Sequence, residues 1–298
     1  MSRKQAVFCI QAANAIVGEG PRWDPATGVL YWVDIKRPAL FRWDPGHGQT
    51  GHWPMSRPIG CASAAPGGRV LFADSDGFGT LELGTGDVSR IADPENDLPG
   101  NRFNDGKVDR AGRFWAGTMD DLCVHPTGSL YRLDVDFSIR RMDTGFVCSN
   151  GLGWSPDNRT MYFTDSMART IWAYEFDLTN GELGERRHFA RLADHDGVPD
   201  GLTVDSEGFI WSAVWDGWRL IRYAPDGGID REVPIPVQRP TSCTFGGPDL
   251  KTLYITSACE GLSRSALERG PLAGALFALE TDVPGLPEAT FNGSGALG

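Results

Sequence analysis

Polar side chains recur at one position of a repeating pattern in this sequence, and their types suit a hard metal ion. The position lies six residues before the second residue of each repeated turn and is occupied in order by Glu19, Gly60, Asn104, Asn150, Asp200 and Ser242. Four of the six are carboxylates or amides. Carboxylates that face one another away from water are unfavourable unless a cation lies between them. Because no thiolate or imidazole joins the set, Ca²⁺, Mg²⁺ or Mn²⁺ is favoured over structural zinc, while Fe²⁺ and a catalytic Zn²⁺ remain open.

The repeat that carries these residues predicts two short strands joined by a tight turn. Its six copies are RWDPATGVLYWVD, SAAPGGRVLFAD, KVDRAGRFWAGT, GWSPDNRTMYFTD, TVDSEGFIWSAV and TFGGPDLKTLYIT. Each copy has apolar, β-branched or aromatic runs on both sides of a turn rich in Asp, Pro, Gly or Asn. A second, more polar hairpin separates successive copies, which recur at intervals of about 42 to 50 residues. Each unit therefore supplies four strands.

Six units of four antiparallel strands predict an all-β fold, a six-bladed β-propeller that forms a single domain over residues 1–298. The last unit lacks an outer strand, and we expect the N-terminal segment AVFCIQAA to supply it and close the ring. A short helix is expected at residues 263–270. A pair of β-sandwiches is the competing fold, but sandwiches need no regular long period. In a propeller the six repeat positions meet at the mouth of the central channel; the competing interpretation is that they only cap strand ends.

The composition restricts the partners and the compartment. The net charge of -11 and the pI of about 4.9 argue against nucleic acid and anionic membranes, which both reward clustered Lys and Arg. No apolar run approaches the roughly 20 residues that span a bilayer, and the N-terminal segment reads as a strand, not as a signal peptide. The six cysteines show neither a CxxC pair nor Cys/His ligand spacing. We therefore expect reduced thiols in a cytoplasmic protein, either a monomer or a weak homo-oligomer.

Five segments closely resemble the SMP-30/gluconolactonase/LRE family of metal-dependent sugar lactonases. They are GEGPRWD, NRFNDGKVDRAGRFWAGTM, SNGLGWSPD, VPDGLTVDSEG and CTFGGPDLKTLYIT. The match runs in order from about Gly18 to about Phe277. The resemblance implies a six-bladed propeller with one catalytic divalent ion, which could be Ca²⁺, Mn²⁺, Mg²⁺, Zn²⁺ or Fe²⁺. It implies hydrolysis of a small sugar lactone, such as a glucono-, xylono- or arabinono-lactone, to the aldonic acid.

The same resemblance implies roles for individual residues. The metal ligands would be Glu19, Asn150 and Asp200, and the substrate contacts would come from Arg102 and Asn104. Lactone hydrolysis needs a polarised carbonyl, an activated water and a stabilised oxyanion, and a divalent ion can supply the first and third. The proton of the water would pass to Asp200 or to a hydroxide on the metal, two possibilities that the sequence leaves open. For Arg102, a structural ion pair with a nearby Asp is the alternative role.

Several features leave the substrate open. After GTM the chain departs from the animal members of the family and has a short loop, in which Asp121 could replace a missing Glu with a shorter reach. Trp215 and Trp218 either belong to the core or stack on a sugar at the channel mouth. The alternative functions are a calcium-dependent esterase or phosphotriesterase and a non-catalytic metal-binding propeller. No Gly-x-Ser-x-Gly motif supports a serine esterase.

Overall fold

Apolar runs between closely spaced turn signals produce strands along nearly all of the part of the chain that the computed structural model describes, residues 6–293. The first strand is β1 (Val7–Gln11), and the next four form blade 1: β2 (Gly18–Asp24), β3 (Val29–Asp34), β4 (Ala39–Asp44) and β5 (Gly48–Pro54). Blade 2 consists of β6 (Ile59–Ala65), β7 (Arg69–Asp74), β8 (Gly77–Glu82) and β9 (Val88–Ala92). Blade 3 consists of β10 (Asn101–Val108), β11 (Phe114–Asp120), β12 (Gly128–Leu133) and β13 (Ile139–Phe146).

The second half of the chain continues the same plan. Blade 4 consists of β14 (Ser149–Trp154), β15 (Thr160–Asp165), β16 (Thr170–Asp177) and β17 (Glu182–Arg191). Blade 5 consists of β18 (Val198–Val204), β19 (Ile210–Trp215), β20 (Arg219–Tyr223) and β21 (Ile229–Pro234). Blade 6 begins with β22 (Pro240–Gly246) and β23 (Thr252–Ser257) and, after α1 (Arg264–Arg269), ends with β24 (Leu276–Glu280). The six sheets are antiparallel and four-stranded, which confirms the predicted six-bladed propeller.

The ring closes through the N-terminal strand, as predicted. Strand β1 pairs with β24 and is the outermost strand of blade 6, with Val7 opposite Leu279 and Phe8 opposite Ala278. On the inner side, each first strand of a blade contacts the first strand of the next, and β22 contacts β2. The predicted short helix is also present: the Ser263 side chain accepts a hydrogen bond from the Ala266 backbone N–H at its N-terminus.

Buried aspartates shape two of the predicted turns and tie them to the second strand of the blade. In blade 3, Asp109 accepts hydrogen bonds from the Trp115 indole at 2.8 Å and from Arg113 at 2.7 Å. In blade 5, Asp205 does the same for the Trp211 indole at 3.0 Å and for Arg222. In both turns the tryptophan lies six residues after the aspartate, whereas Arg113 and Arg222 lie four and 17 residues after it.

The hydrophobic core lies between neighbouring blades, where sheet faces pack on one another. Between blades 2 and 3, one buried cluster includes Leu71, Phe78, Phe103, Phe114 and Tyr131. Between blades 5 and 6, another includes Trp211, Leu220, Phe245, Ile255 and Phe277. Within residues 6–293 no helix is long and apolar enough to cross a membrane. The packed blades hold the inner strands rigidly around the central channel.

Candidate metal and substrate site

Irregularities in the inner strands turn polar side chains out of the hydrogen-bond ladder at one end of the channel. A β-bulge or register shift falls between Glu19 and Arg22 in β2, and between Phe103 and Gly106 in β10. Equivalent shifts occur in β14 and β18, at residues 149–152 and 199–202. A bulge twists the strand locally and re-aims a side chain, which is why bulges are common beside active sites. The positions found by counting along the repeat therefore coincide with the irregular points of the inner strands.

The five residues predicted as metal ligands or substrate contacts line one pocket of about 230 Å³. They are Glu19, Arg102, Asn104, Asn150 and Asp200. The apolar part of the wall was not anticipated from the sequence and includes Val17, Ile35, Met119, Met167 and Val198. A pocket of this kind, with an apolar wall and a few convergent polar groups, has room for a single sugar ring.

The two other repeat positions serve packing. A Cβ on Gly60 would lie 2.3 Å from the backbone oxygen of Asn104, so β6 approaches β10 too closely for any side chain there. Ser242 is fully buried, and its hydroxyl oxygen lies 2.0 Å from the position that a Cβ on Gly201 would take. The expected ring of six therefore reduces to four residues that face the pocket.

Two of the pocket residues are buried carboxylates that lie near one another. Glu19 is 5% exposed and Asp200 is 4% exposed. Burial, followed by the charge of Asp105, raises the pKa of Glu19 to about 8, although the Gly20 N–H donates to its Oε2 at 2.7 Å. Burial and the charge of Glu19 raise the pKa of Asp200 well above its ordinary value. The raised pKa values show that neither carboxylate is well stabilised in its ionised form by the protein alone. A cation bound between them would stabilise both negative charges.

The amide of Asn150 is oriented between these groups. Its Nδ2 donates to the Ser166 hydroxyl at 3.1 Å. The Oδ1 atom of Asn150 is buried and has no hydrogen-bond partner within residues 6–293. A buried acceptor without a partner costs free energy of about 1–3 kcal/mol. A metal ion bound at Oδ1 would remove this cost.

The donor set fits a hard divalent ion. Among the described residues no group of three or more His, Cys, Asp or Glu side chains is arranged to hold a metal, so the acidic side chains do not suffice alone. Glu19, Asp200 and the free Oδ1 of Asn150 together offer only oxygen donors. Two negative charges and a neutral oxygen match the charge and ligand preference of Ca²⁺, Mg²⁺ or Mn²⁺.

Asp105 and Arg22 form a buried ion pair beneath the pocket that counting along the repeat missed. The Arg22 Nη2 lies 2.9 Å from Asp105 Oδ1, and both side chains are at most 5% exposed. The Gly106 N–H donates to the same oxygen at 2.7 Å. The negative charge of Asp105 acts on both Glu19 and Asp200 and raises the pKa of each. Four acidic or amide residues at the site are each followed directly by glycine: Glu19, Asp105, Asn150 and Asp200. This shared pattern is the sequence signal that could have revealed Asp105.

Arg102 makes an ion pair and faces the pocket at the same time. Its Nε lies 2.6 Å from Asp121 Oδ1, and its Nη1 donates to the Asn104 Oδ1 at 2.7 Å. The Nη2 atom makes no hydrogen bond to the described part of the chain and remains available to a ligand. Asn104 Nδ2 donates to the Ser149 backbone oxygen at 2.9 Å. Because arginine only donates and a carbonyl only accepts, these partners determine the orientation of the Asn104 amide.

The two aspartates of the short loop have different roles. Asp120 accepts backbone hydrogen bonds from Leu122, Val124 and His125, so it shapes loop 121–127. Asp121 lines the pocket and lies 3.4 Å from Lys36 as well as beside Arg102. Burial alone would raise the pKa of Asp121, but these two cations outweigh it and lower the pKa.

Only one of the two tryptophans considered from the sequence reaches the pocket. Trp215 lines it and is covered on one face by the Arg239 guanidinium, 4.5 Å from the ring centre. Trp218 packs elsewhere, beside Gly270 and under the Arg269 guanidinium. Any stacking on a sugar is therefore confined to Trp215.

Comparisons with known proteins show the family and the fold of this chain. A family model described as the SMP-30/Gluconolactonase/LRE-like region matches residues 17–259. The chain is 37% identical over 292 residues to 6-deoxy-6-sulfogluconolactonase of Pseudomonas putida, covering 97% of this chain and 99% of the relative. It is 36% identical over 294 residues to regucalcin of Gallus gallus, covering 96% and 98%. The crystal structure of a calcium-binding protein, regucalcin, from Agrobacterium tumefaciens superposes with a TM-score of 0.92 at 29% identity, covering 96% and 97%.

Proposed function

This chain belongs to the SMP-30/gluconolactonase/LRE-like family, and we propose that it is a lactonase that uses one divalent metal ion to hydrolyse a sugar lactone to the aldonic acid. The observation that carries the proposal is the buried, unpartnered Oδ1 of Asn150 beside two buried carboxylates in one pocket of the described chain. A relative named as a sugar lactonase supports the reaction class, and a structure titled as a calcium-binding protein supports the divalent ion.

Glu19, Asn150 and Asp200 would hold the ion. A divalent cation bound there supplies Lewis-acid polarisation of the lactone carbonyl and acidifies a neighbouring water. The free Nη2 of Arg102 donates to a hydroxyl or ring oxygen of the lactone and fixes its orientation. A carboxylate oxygen of Asp200 accepts the proton of the attacking water. The apolar wall at Met119 and Val198 excludes bulk water from the reacting face.

A lactone with several hydroxyls is favoured over an apolar ester because of the polar groups at the pocket. Arg102 keeps free donors, and the Asn104 amide keeps one donor and one acceptor lone pair after its two protein hydrogen bonds. An apolar ester would leave these buried groups without partners. Lys36 and Arg102 share the carboxylate of Asp121, so their charge is partly neutralised before any substrate enters. Neutral aldonolactones are therefore the first substrates to test.

The test is acid release from a panel of aldonolactones by protein that has been stripped with a chelator and resupplied with single divalent ions. The panel includes neutral glucono-, xylono-, arabinono- and galactono-lactones and a 6-sulfonated gluconolactone. We expect metal-restored hydrolysis of a sugar lactone above the spontaneous rate. A panel of aryl esters is assayed in the same way, and hydrolysis of these esters instead would support the alternative esterase. No hydrolysis of either the lactones or the aryl esters would support a binding propeller.

An Asp200→Ala variant should lose about 10²- to 10⁴-fold in turnover while keeping the fold. Asp196→Asn is a control, because Asp196 lies in the loop just before β18 and is partly exposed and outside the pocket. Near-normal turnover by Asp200→Ala would contradict the assigned role. The single-domain organisation, the cytoplasmic location and the monomeric or weakly associated state stay predictions from the sequence.

A further inference from the structure

Trp215 lies in the wall of the pocket with one face of its indole ring already covered by the protein. It is the last residue of β19, pairs with Val198 on β18, and is half-buried. The Arg239 guanidinium lies over the ring, 4.5 Å from the ring centre. Trp215 also lines the pocket, so the part of the ring that Arg239 leaves uncovered is what a ligand meets there.

An ion pair fixes the guanidinium that covers the ring. Arg239 Nε lies 2.6 Å from Asp216 Oδ1, and Arg239 Nη2 lies 3.3 Å from Asp216 Oδ2. The Gln238 amide donates to the same Oδ1 at 2.8 Å, and Arg239 Nη1 donates to the Glu260 backbone oxygen. Two N–H groups on two carboxylate oxygens hold the plane of the guanidinium, which limits the tilt of the indole packed against it. The ring is therefore oriented before a ligand enters.

The indole ring of Trp215 also has an accessible polar edge and apolar neighbours. The Trp211 indole on the same strand donates to Asp205 at 3.0 Å, whereas the Trp215 Nε1–H makes no hydrogen bond to the described part of the chain. Nor is this N–H among the described polar atoms that are buried without a partner, so it is open to water or a ligand. Trp215 packs against a core cluster that includes Val17 and Ile35, and both of these line the pocket. The wall therefore combines a flat apolar surface with one accessible donor.

Such a wall suits the surface of a closed sugar ring. The C–H groups of a closed ring form a flat apolar face, and its hydroxyls extend from the rim, where an indole N–H can donate to them. An open-chain sugar acid has no such fixed face, because its carbon chain rotates about each single bond. A rigid aromatic side chain binds a rigid flat surface at a smaller cost in conformational entropy than it binds a flexible chain.

We propose that Trp215 is a specificity-determining residue that stacks on the C–H face of the lactone ring and thereby distinguishes the closed lactone from the open-chain aldonate. This inference rests on the proposed lactonase function and adds to it the form of the sugar that the pocket selects. Hydrolysis opens the ring and removes the flat face, so the product loses the contact with the indole. The stacking therefore favours binding of the substrate and release of the product.

The experiment measures binding directly, without turnover. The probes are δ-gluconolactam, a closed ring that resists hydrolysis, and gluconamide, an open-chain amide; both are neutral and carry several hydroxyls. Calorimetric titration into full-length protein loaded with Mn²⁺ gives the dissociation constant of each probe, and indole fluorescence reports contact with tryptophan. We expect the wild type to bind the lactam more tightly. Trp215→Leu should weaken lactam binding about tenfold and leave gluconamide binding unchanged within about twofold.

Two further variants separate stacking from a purely structural role. Trp215→Phe keeps a flat ring and should retain most of the affinity for the lactam. Trp218→Leu is the matched control, because Trp218 lies in the same turn but outside the pocket, and it should bind both probes like the wild type. Trp215→Leu should also keep the affinity for Mn²⁺, since Trp215 is not among the proposed metal ligands.

The proposal is overturned if Trp215→Leu weakens binding of both probes equally or leaves lactam binding at the wild-type level. It is also overturned if the wild type binds the lactam no more tightly than gluconamide. Lactam binding that depends on Trp215 in a protein that hydrolyses no lactone supports the stacking role and contradicts the proposed function. Lactone hydrolysis with a KM that Trp215→Leu does not change contradicts the stacking role and leaves the proposed function standing.

Discussion

At the scale of single residues, the position of the Asn150 amide depends on a neighbour that is not a metal ligand. The Ser166 hydroxyl accepts a hydrogen bond from Asn150 Nδ2 at 3.1 Å. This bond turns the other end of the amide, Oδ1, away from Ser166. Ser166 lies in the turn after β15 and also lines the pocket. Residues that orient a ligand in this way typically change metal affinity or activity by about 10- to 100-fold when they are replaced.

Ser166→Ala should therefore weaken divalent-ion binding by about tenfold or more. The physical reason is that the Asn150 amide loses the hydroxyl that accepts from its Nδ2 and holds its orientation. Calorimetric titration of Ca²⁺ into chelator-stripped protein measures the change directly. Ser89→Ala, on the exposed strand β9, is the control and should bind like the wild type. Equal affinity of Ser166→Ala and the wild type would contradict the assigned orientation.

Asp121→Asn should raise the KM for a sugar lactone by up to about fivefold, with kcat little changed. The Asp121 side chain is 45% exposed, so its pair with Arg102 contributes at most about 1 kcal/mol. Losing the pair leaves the arginine less well ordered before substrate binds. Asp76→Asn serves as the control, since Asp76 pairs with Arg57 at 2.8 Å on the surface of blade 2. A large fall in kcat with an unchanged KM would assign Asp121 a chemical role instead.

Residues that occupy equivalent blade positions could be predicted by counting along the repeat, and residues that support them were not found in that way. Glu19, Asn150 and Asp200 were found because a regular repeat places equivalent positions at equivalent distances from the axis. Their convergence in one pocket is confirmed, while their roles stay proposals. Ser166 and Asp105 were missed because their importance depends on a turn and on a bulge. Neither follows from the period of the repeat.

At the scale of elements, close backbone approach between inner strands requires glycine at specific points. The Cβ of an alanine at position 60 would lie 2.3 Å from the Asn104 oxygen and 2.6 Å from the Phe103 oxygen. Both contacts are with backbone atoms of β10, which cannot rotate away. Since β10 also carries Arg102 and Asn104, the spacing of β6 and β10 affects both stability and the pocket.

Gly60→Ala should destabilise the protein by about 1–3 kcal/mol and displace β10. Urea unfolding gives the loss of stability, and the KM for the lactone reports the displacement of Arg102. Gly100→Ala is a matched control, since no atom lies within 4 Å of its added Cβ. A Gly60→Ala variant as stable as Gly100→Ala would show that the two strands can separate at no cost.

The strands, their number and the short helix could be predicted because each depends on local patterns. Turn residues between apolar runs mark hairpins, and Ser263 and Gly270 mark the two ends of the helix. Ring closure by β1 could also be predicted, because one unit was a strand short. The bulges could not be predicted, because the inner strands are buried on both faces and show no regular apolar–polar alternation that a bulge would interrupt.

At the scale of the whole molecule, the C-terminal segment covers the end of the channel opposite the pocket. Strand β10 begins near Arg102 at the pocket and ends near Lys107, whose Nζ lies 3.2 Å from Glu288 Oε1. Thr244 donates to the same Glu288 oxygen at 3.0 Å. Backbone hydrogen bonds from Gly285 to Leu250 and from Phe291 to Ala64 tie the segment to several blades. The ion pair is buried, with side-chain exposures of 6% and 11%.

Glu288→Gln should reduce the free energy of unfolding by about 3 kcal/mol at neutral pH, because it leaves Lys107 buried without its counter-charge. Burial raises the pKa of Glu288, but the charges of Lys107 and Arg22 outweigh it and lower the pKa below the ordinary value of 4.5. Glu288 therefore adds stability above that pH and loses it as the pH falls through the folded value. Urea unfolding between about pH 5 and pH 3 should show a smaller loss for Glu288→Gln than for the wild type.

The exposed Glu185→Gln is the control and should follow the pH dependence of the wild type. Parallel stability curves for Glu288→Gln and the wild type would show that folding does not shift the pKa of Glu288. The pairing itself could not be predicted from the sequence, because Lys107 lies in blade 3 and Glu288 in the C-terminal segment, far apart along the chain.

The measurement that tests the account most directly is a titration of Mn²⁺ into chelator-stripped protein. The free ion is followed by electron paramagnetic resonance and acid release from a sugar lactone is followed in the same samples. We predict that the rate rises in proportion to bound ion, reaches its plateau at one equivalent, and is near background at zero occupancy. A rate that is independent of bound ion, or that requires several equivalents, would contradict a single catalytic ion held by Glu19, Asn150 and Asp200.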